Sequence, residues 1–339
     1  MGTTAERSSI PVPATAGGWV ELGRVTGNGS SISVSSLADK RYLMVLCNFQ
    51  NGANYYVNFN GDTGSNYANR RSANGGGDTQ QTSTTGISNG ISGSYPTQPY
   101  FAIGYVANKS DKEKLSIWNW ATAYASGAGN APYRSEVVGK WANTSNTINE
   151  VFISNGQTTT PTEMVILGYD PADSHTNNFW EELYSGNASA ASSITSSNFT
   201  TKKYLWIQCV STVTTASTGH VLQVGNTTID TGSNYAERLS NNGGSDATAT
   251  SQSDLNCASN NANGVGGQHF NNIFIVNNAS AEKLIMNHTI TTQLTGASDA
   301  PKRQEMVGKW TNTSNQIDIV KLFTNTGAAD YELRVWGAD

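Results

Sequence analysis

The chain has 339 residues, room for two domains of ordinary size, and only 13% of them are charged. A net charge of −5 argues against a nucleic-acid or anionic-membrane partner, since both favour a basic face. The 34 glycines among abundant Asn, Ser and Thr favour turns and short strands over helices, and no run reaches the ~18–20 apolar residues of a spanning helix.

Residues 1–16 read as an N-terminal extension. They lack the apolar core of a secretory leader, and Glu6 stands where a myristoylation motif wants Ser or Thr, so release by cell lysis is the expected route outward. The expected strands then follow: Ser31–Val34, Arg41–Asn48, Tyr55–Phe59, Tyr100–Ala107, Lys114–Ala121, Glu136–Trp141, Ile148–Ser154 and Met164–Gly168. Each is short, β-branched or aromatic, and bounded by Gly, Asn or Ser. The polar stretch Ala68–Gln98 reads as one long loop, a length that is often functional. Residues 171–178 form a linker. The series then starts again, with strands including Lys203–Val210, Val221–Val224, Asn272–Val276 and Lys283–Asn287, and a second polar stretch at Ala236–Gln268.

This recurrence is a duplication. Lys40 to Cys47 matches Lys202 to Cys209, an offset of 162 residues. Asp62-Thr63-Gly64-Ser65-Asn66-Tyr67-Ala68 recurs unchanged from Asp230 to Ala236, and Arg70 and Asp78 answer to Arg238 and Asp246. Glu113-Lys114-Leu115 matches Glu282-Lys283-Leu284. Val138-Gly139-Lys140-Trp141 with Asn143 to Asn146 matches Val307-Gly308-Lys309-Trp310 with Asn312 to Asn315, and Glu163 answers to Glu332. A unit this long is a duplicated domain, since solenoid repeats run ~20–50 residues. The expected fold is all-β: two tandem jelly-roll-like β-sandwiches at 17–170 and 179–339.

Two Asp-Thr-Gly tripeptides in two lobes bring an aspartic protease to mind, where paired carboxylates share a proton. Yet Asp62 follows Phe59-Asn60-Gly61 rather than an apolar strand, and the identity runs far beyond the tripeptide. A turn capped by Asp is the better reading, and no nucleophile elbow or phosphate loop appears, so no enzyme and no catalytic residue is expected. The candidate assembly or ligand loops are instead those holding Asp62, Tyr67, Arg70 and Asp78, and Asp230, Tyr235, Arg238 and Asp246.

No cofactor is expected. His175, His220, His269 and His288 lie in the linker or the second copy, whereas a metal site built into the module would occur in both. The loops at Asp78 and Asp246 lack the ligand spacing of a calcium-binding EF-hand. Cys47 and Cys209 occupy equivalent places and read as small core residues; with Cys257 the count is odd, which leaves at least one unpaired. Trp118, Trp120, Trp141, Trp206, Trp310 and Trp336 would suit a host-glycan site, although Trp141 and Trp310 end apolar strands and fit packing better.

The repeated Lys-Arg-Tyr-Leu-Met-Val, Asp-Thr-Gly-Ser-Asn-Tyr-Ala, Asn-Gly-Gly-x-Asp, Glu-Lys-Leu and Val-Gly-Lys-Trp-x-Asn-Thr-Ser-Asn pattern resembles a family of virion structural proteins of tailed phages and related viruses, especially marine ones. The resemblance spans nearly all of both copies. It implies a capsid-associated or tail-associated module on a particle surface. Its expected partners are copies of itself and other virion proteins, with host glycans as the alternative.

Overall fold

The computed structural model describes residues 18–27, 29–52, 55–91, 95–155, 162–174, 178–263, 265–292 and 300–339. The extension 1–16 and His175 lie outside these. Every regular element among the described residues is a strand, and no helix among them is long and apolar enough to cross a membrane.

The first copy contains β1 (Val20–Gly27), β2 (Ser31–Val34), β3 (Tyr42–Gly52), β4 (Tyr55–Phe59), β5 (Tyr67–Ala73), β6 (Thr79–Thr84), β7 (Ile87–Ser88), β8 (Tyr95–Ala107), β9 (Lys114–Thr122), β10 (Tyr133–Trp141), β11 (Val151–Asn155) and β12 (Thr162–Tyr169). They form an eight-stranded sheet, β1-β12-β3-β8-β9-β10-β5-β6, over a four-stranded one, β2-β11-β4-β7.

The second copy contains β13 (Glu181–Ala191), β14 (Ser193–Thr195), β15 (Tyr204–Thr215), β16 (Ser217–Asn226), β17 (Thr228–Ile229), β18 (Tyr235–Asn241), β19 (Ala247–Gln252), β20 (Leu255–Asn263), β21 (Gln268–Val276), β22 (Lys283–Thr291), β23 (Lys302–Trp310), β24 (Ile319–Thr324) and β25 (Ala328–Ala338). Its large sheet runs β13-β25-β15-β21-β22-β23-β18-β19. Its small sheet runs β14-β24-β16-β17, with β20 added on β16. The chain is thus two β-sandwiches in tandem, as the duplication predicts.

The polar stretches read as long loops are instead largely strands: β5, β6 and β7 in the first, β18, β19 and β20 in the second. Asn74-Gly75 and Asn242-Gly243 both take positive φ and turn β5 into β6 and β18 into β19, the conformation for which Asn-Gly is suited. Both β6 and β19 are edge strands.

Alternation along the strands sorts the side chains into three cores. Leu43, Val45, Cys47 and Phe49 of β3 point to the small sheet, where they meet Tyr55, Val57 and Phe59 of β4. Leu205, Ile207 and Cys209 do the same in the second copy. All three cysteines are buried and free. The intervening Met44 and Leu46 join Phe101, Ile103, Val165 and Leu167 against Tyr204, Phe274, Leu284, Met286 and Val307 of the other copy. The large sheets therefore pack face to face, and the molecule has four layers: small, large, large, small. Central stretches such as Leu43–Cys47 are apolar throughout because both of their faces are buried.

Candidate functional site

The repeated motifs build the same two locks in each copy. In the Asp-Thr-Gly turn, Asp62 accepts hydrogen bonds from Gly64 N (2.8 Å), Asn66 Nδ2 (2.9 Å) and Trp141 Nε1 (2.7 Å). Asp230 accepts from Gly232 N (2.8 Å), Asn234 Nδ2 (2.9 Å) and Trp310 Nε1 (2.7 Å). Partial burial acts to raise both carboxyls, but these donors outweigh it and hold them below their ordinary value. The Tyr67 hydroxyl accepts from Phe59 N (2.9 Å) and reaches Asp62 O (3.2 Å); Tyr235 bridges Val224 N (3.1 Å) and Asp230 O (2.8 Å). Each Asp thus closes its own turn and faces no second carboxylate in these contacts. The second lock is a buried lysine. Lys114 donates to Asn143 O (2.9 Å) under the Trp141 ring, and Lys283 donates to Asn312 O (2.7 Å) under Trp310.

The remaining candidate residues have diverged in role. Arg70 and Asp78 are exposed and lie 3.6 Å apart. Their counterparts dock onto the first copy. Asp246 is gripped by Arg134, with Nη2 2.7 Å from Oδ1 and Nε 3.0 Å from Oδ2. Arg238 donates to Pro132 O (2.8 Å) and lies over the Tyr133 ring. Gly75 has φ +71°, and a Cβ there would sit 2.6 Å from the Asp246 carboxylate, so this turn admits only glycine. Burial opposes the Arg134 charge, but Asp246 and Glu136 outweigh it and raise its pKa.

Other contacts between the copies were not anticipated from sequence. Glu163 meets Lys203 Nζ and the Tyr204 hydroxyl, both at 2.6 Å, and Asn278 Nδ2 donates to Asn48 Oδ1 (3.1 Å). Lys309, fully buried, pairs with Glu282 (3.1 Å) and donates to Ala125 O (2.5 Å) of the first copy. The equivalent pair, Lys140 and Glu113, is open to solvent.

That difference extends to a whole sheet face. Phe274, Leu284, Met286 and Val307 of the second copy are buried under the first. Their equivalents Tyr105, Leu115, Ile117 and Val138 line an open groove of about 700 Å³, with Tyr42 and Trp19 at its margin. Leu115, Ile117 and Val138 are 59%, 55% and 51% exposed. Exposed apolar surface of this kind, gathered on one face, marks an interaction site.

The paired histidines and the tryptophans weighed as sugar contacts are packed inside the fold. His220 and His269, far apart in sequence, stack at 4.0 Å in the second core, with Ser211 Oγ 3.0 Å from His220 Nε2. Ladder registers place Tyr55 and Tyr100 at the same two positions of the first copy, their rings 5.3 Å apart. The histidines therefore fill an aromatic slot. Burial lowers both imidazoles, His269 to about 4. Among the described residues no group of three or more His, Cys, Asp and Glu side chains is placed to hold a metal. Trp118, Trp120, Trp141 and Trp310 are buried, and Trp206 and Trp336 pack between the sheets, so none forms an open sugar-stacking platform.

No protein-family model matches the chain, and no curated protein matches it. Among solved structures it is weakly similar to domains LG4-5 of the mouse laminin α1 chain, at 12% identity over 94% of this chain and 91% of that one, TM-score 0.19. It is also weakly similar to an acyl-CoA hydrolase from Agrobacterium tumefaciens, at 7% identity over 66% of this chain and 74% of that one, TM-score 0.17. Likeness at this level carries neither fold nor function across.

Proposed function

We propose that this chain is a non-enzymatic structural building block of a virion, as capsid shell, capsid decoration or tail-associated component, that works through repeated copies. The observation that carries the reading is the open Tyr105, Leu115, Ile117 and Val138 face, whose equivalent in the second copy is buried in a sheet-to-sheet contact. A surface whose duplicate is already an interface is suited to become one. The repeated carboxylates support the same reading, because their hydrogen bonds are spent on holding turns. The resemblance of both copies to virion structural proteins supplies the kind of particle.

The test is quantitative proteomics of particles purified from cultures infected by the virus that encodes this chain. Many copies per particle are expected. Particles that contain the other coat components but none of this chain would sink the reading.

A further inference from the structure

The contact between the two copies is not symmetric. The first copy contributes Met44, Leu46, Ile103, Val165 and Leu167 and, beside them, one transverse row of its large sheet: Glu163, Asn48, Phe101, Ala121 and Arg134, which neighbour one another across β12, β3, β8, β9 and β10. The second copy contributes a different region: Phe274, Leu284, Met286 and Val307, with Lys203, Tyr204 and Asp246 at its flanks. The two surfaces share a centre, where Met44 and Leu167 of one copy answer to Trp206 and Trp336 of the other, but extend toward different ends of the sheet, so the contact is heterologous and leaves one unused end on each unit.

Both unused surfaces are present. On the second copy the equivalent row is Glu332, Val210, Phe270, Ile290 and Arg303 across β25, β15, β21, β22 and β23. It keeps the acid at one end and the arginine at the other, and its middle is more apolar than Asn48, Phe101 and Ala121. Val210, Phe270 and Ile290 are exposed. On the first copy the open face carries the matching flanks: Arg41 and Tyr42 where the second copy has Lys203 and Tyr204, and Asp78 where it has Asp246. Arg303 and Asp78 are 59% and 56% exposed, against 6% and 2% for Arg134 and Asp246.

We infer that the partner for the open face is a second copy of this chain, joined head to tail: the Val210, Phe270 and Ile290 row of one chain lies on the Leu115, Ile117 and Val138 face of the next. Arg303 then meets Asp78 of the next chain, and Glu332 meets its Arg41 and Tyr42, as Arg134 meets Asp246 and Glu163 meets Lys203 and Tyr204 within one chain. The joint repeats the transverse row and the flanking charges of the internal contact, so each added chain presents a fresh surface at its end. It rests on the building-block reading above and names the partner for it.

The experiment is analytical ultracentrifugation of the full chain and of Ile117→Asp and Ile290→Asp, each checked for native unfolding behaviour. Both substitutions are at exposed positions and disable opposite faces. The wild type is expected to form species larger than dimer as concentration rises. Each variant alone is expected to be monomeric, and an equimolar mixture to form a one-to-one dimer that grows no further. A wild type that stays monomeric, a single variant that still dimerises, or a mixture that does not pair would each overturn the joint. Reversing the flank in Arg303→Asp is expected to abolish growth, and adding Asp78→Arg to the same chain to restore it. The two readings fail separately: a monomeric chain abundant in particles removes the joint alone, while a polymer absent from particles removes the virion role alone.

Discussion

Arg134 of the first copy and Asp246 of the second form a buried ion pair, 2.7 Å at its shortest, while the equivalent Arg303 and Asp78 stand in solvent. Removing one member of a buried pair strands the other's charge, at a cost of about 3–5 kcal/mol. Asp246→Ala is therefore expected to lower unfolding stability by roughly that amount, and Asp78→Ala by about 0–1 kcal/mol. Urea denaturation of the two variants side by side checks this; equal losses would contradict the asymmetry.

The Trp310 indole is the donor to Asp230 that reaches across from β23. Trp310→Phe keeps an aromatic ring but removes the pyrrole half of the buried indole with its N–H, for an expected loss of about 1–3 kcal/mol from the lost hydrogen bond and a further cost from the cavity left behind. The acid limb should move as well. A carboxyl held low in the folded state contributes stability above its unfolded pKa and loses it as pH falls through the folded one. With a donor gone the folded value rises, so acid unfolding of the variant begins at a higher pH, which circular dichroism during acid titration reads directly.

His220 and His269 give the second copy a separate acid sensitivity. Their folded pKa values lie below the ordinary 6.5, His269 at about 4, so the unfolded chain binds more protons as pH falls through that window and stability drops with it. For His269 alone the loss between pH 7 and pH 4 is on the order of 3 kcal/mol. Glu237, pushed up by burial to about 7, works in the opposite direction above pH 4.5. Replacing both histidines by Tyr imports the pair that the first copy uses and leaves Glu237 untouched. The double variant should lose less stability than the wild type between pH 6.5 and pH 4; an unchanged slope would show that the pair does not titrate as described.

The duplication and the sandwich class were legible because strands with buried faces carry dense apolar runs and the turn motifs recur unchanged. The strands in the polar stretches were not. Thr79–Thr84 and Ala247–Gln252 lie at sheet edges and bury little, so no hydrophobic alternation marks them and their threonines read as loop residues among Gln and Ser. The Asn-Gly pairs ahead of them were the available signal. The candidate surface was hidden for a different reason. Glu-Lys-Leu and Val-Gly-Lys-Trp are identical in both copies, yet Leu115 is exposed and Leu284 buried. Local sequence records a residue's neighbours within a sandwich and says nothing of the layer stacked outside it. The unbroken apolar character of Leu43–Cys47 was a clue to that outer layer, since a strand with one solvated face would alternate.

The transverse row also restricts how the two halves of the gene can exchange sequence. Ala121 is fully buried beneath the second copy, so writing Ile290 into its place would overpack the contact, at a typical cost of about 1–3 kcal/mol. Writing Val210 over Asn48 would leave Asn278 without its 3.1 Å partner. In the reverse direction, Ala in place of the exposed Ile290 leaves the isolated chain's fold nearly untouched. Gene conversion across this row is therefore tolerated by the folded chain from the first half into the second and resisted the other way, so the two halves are no longer interchangeable.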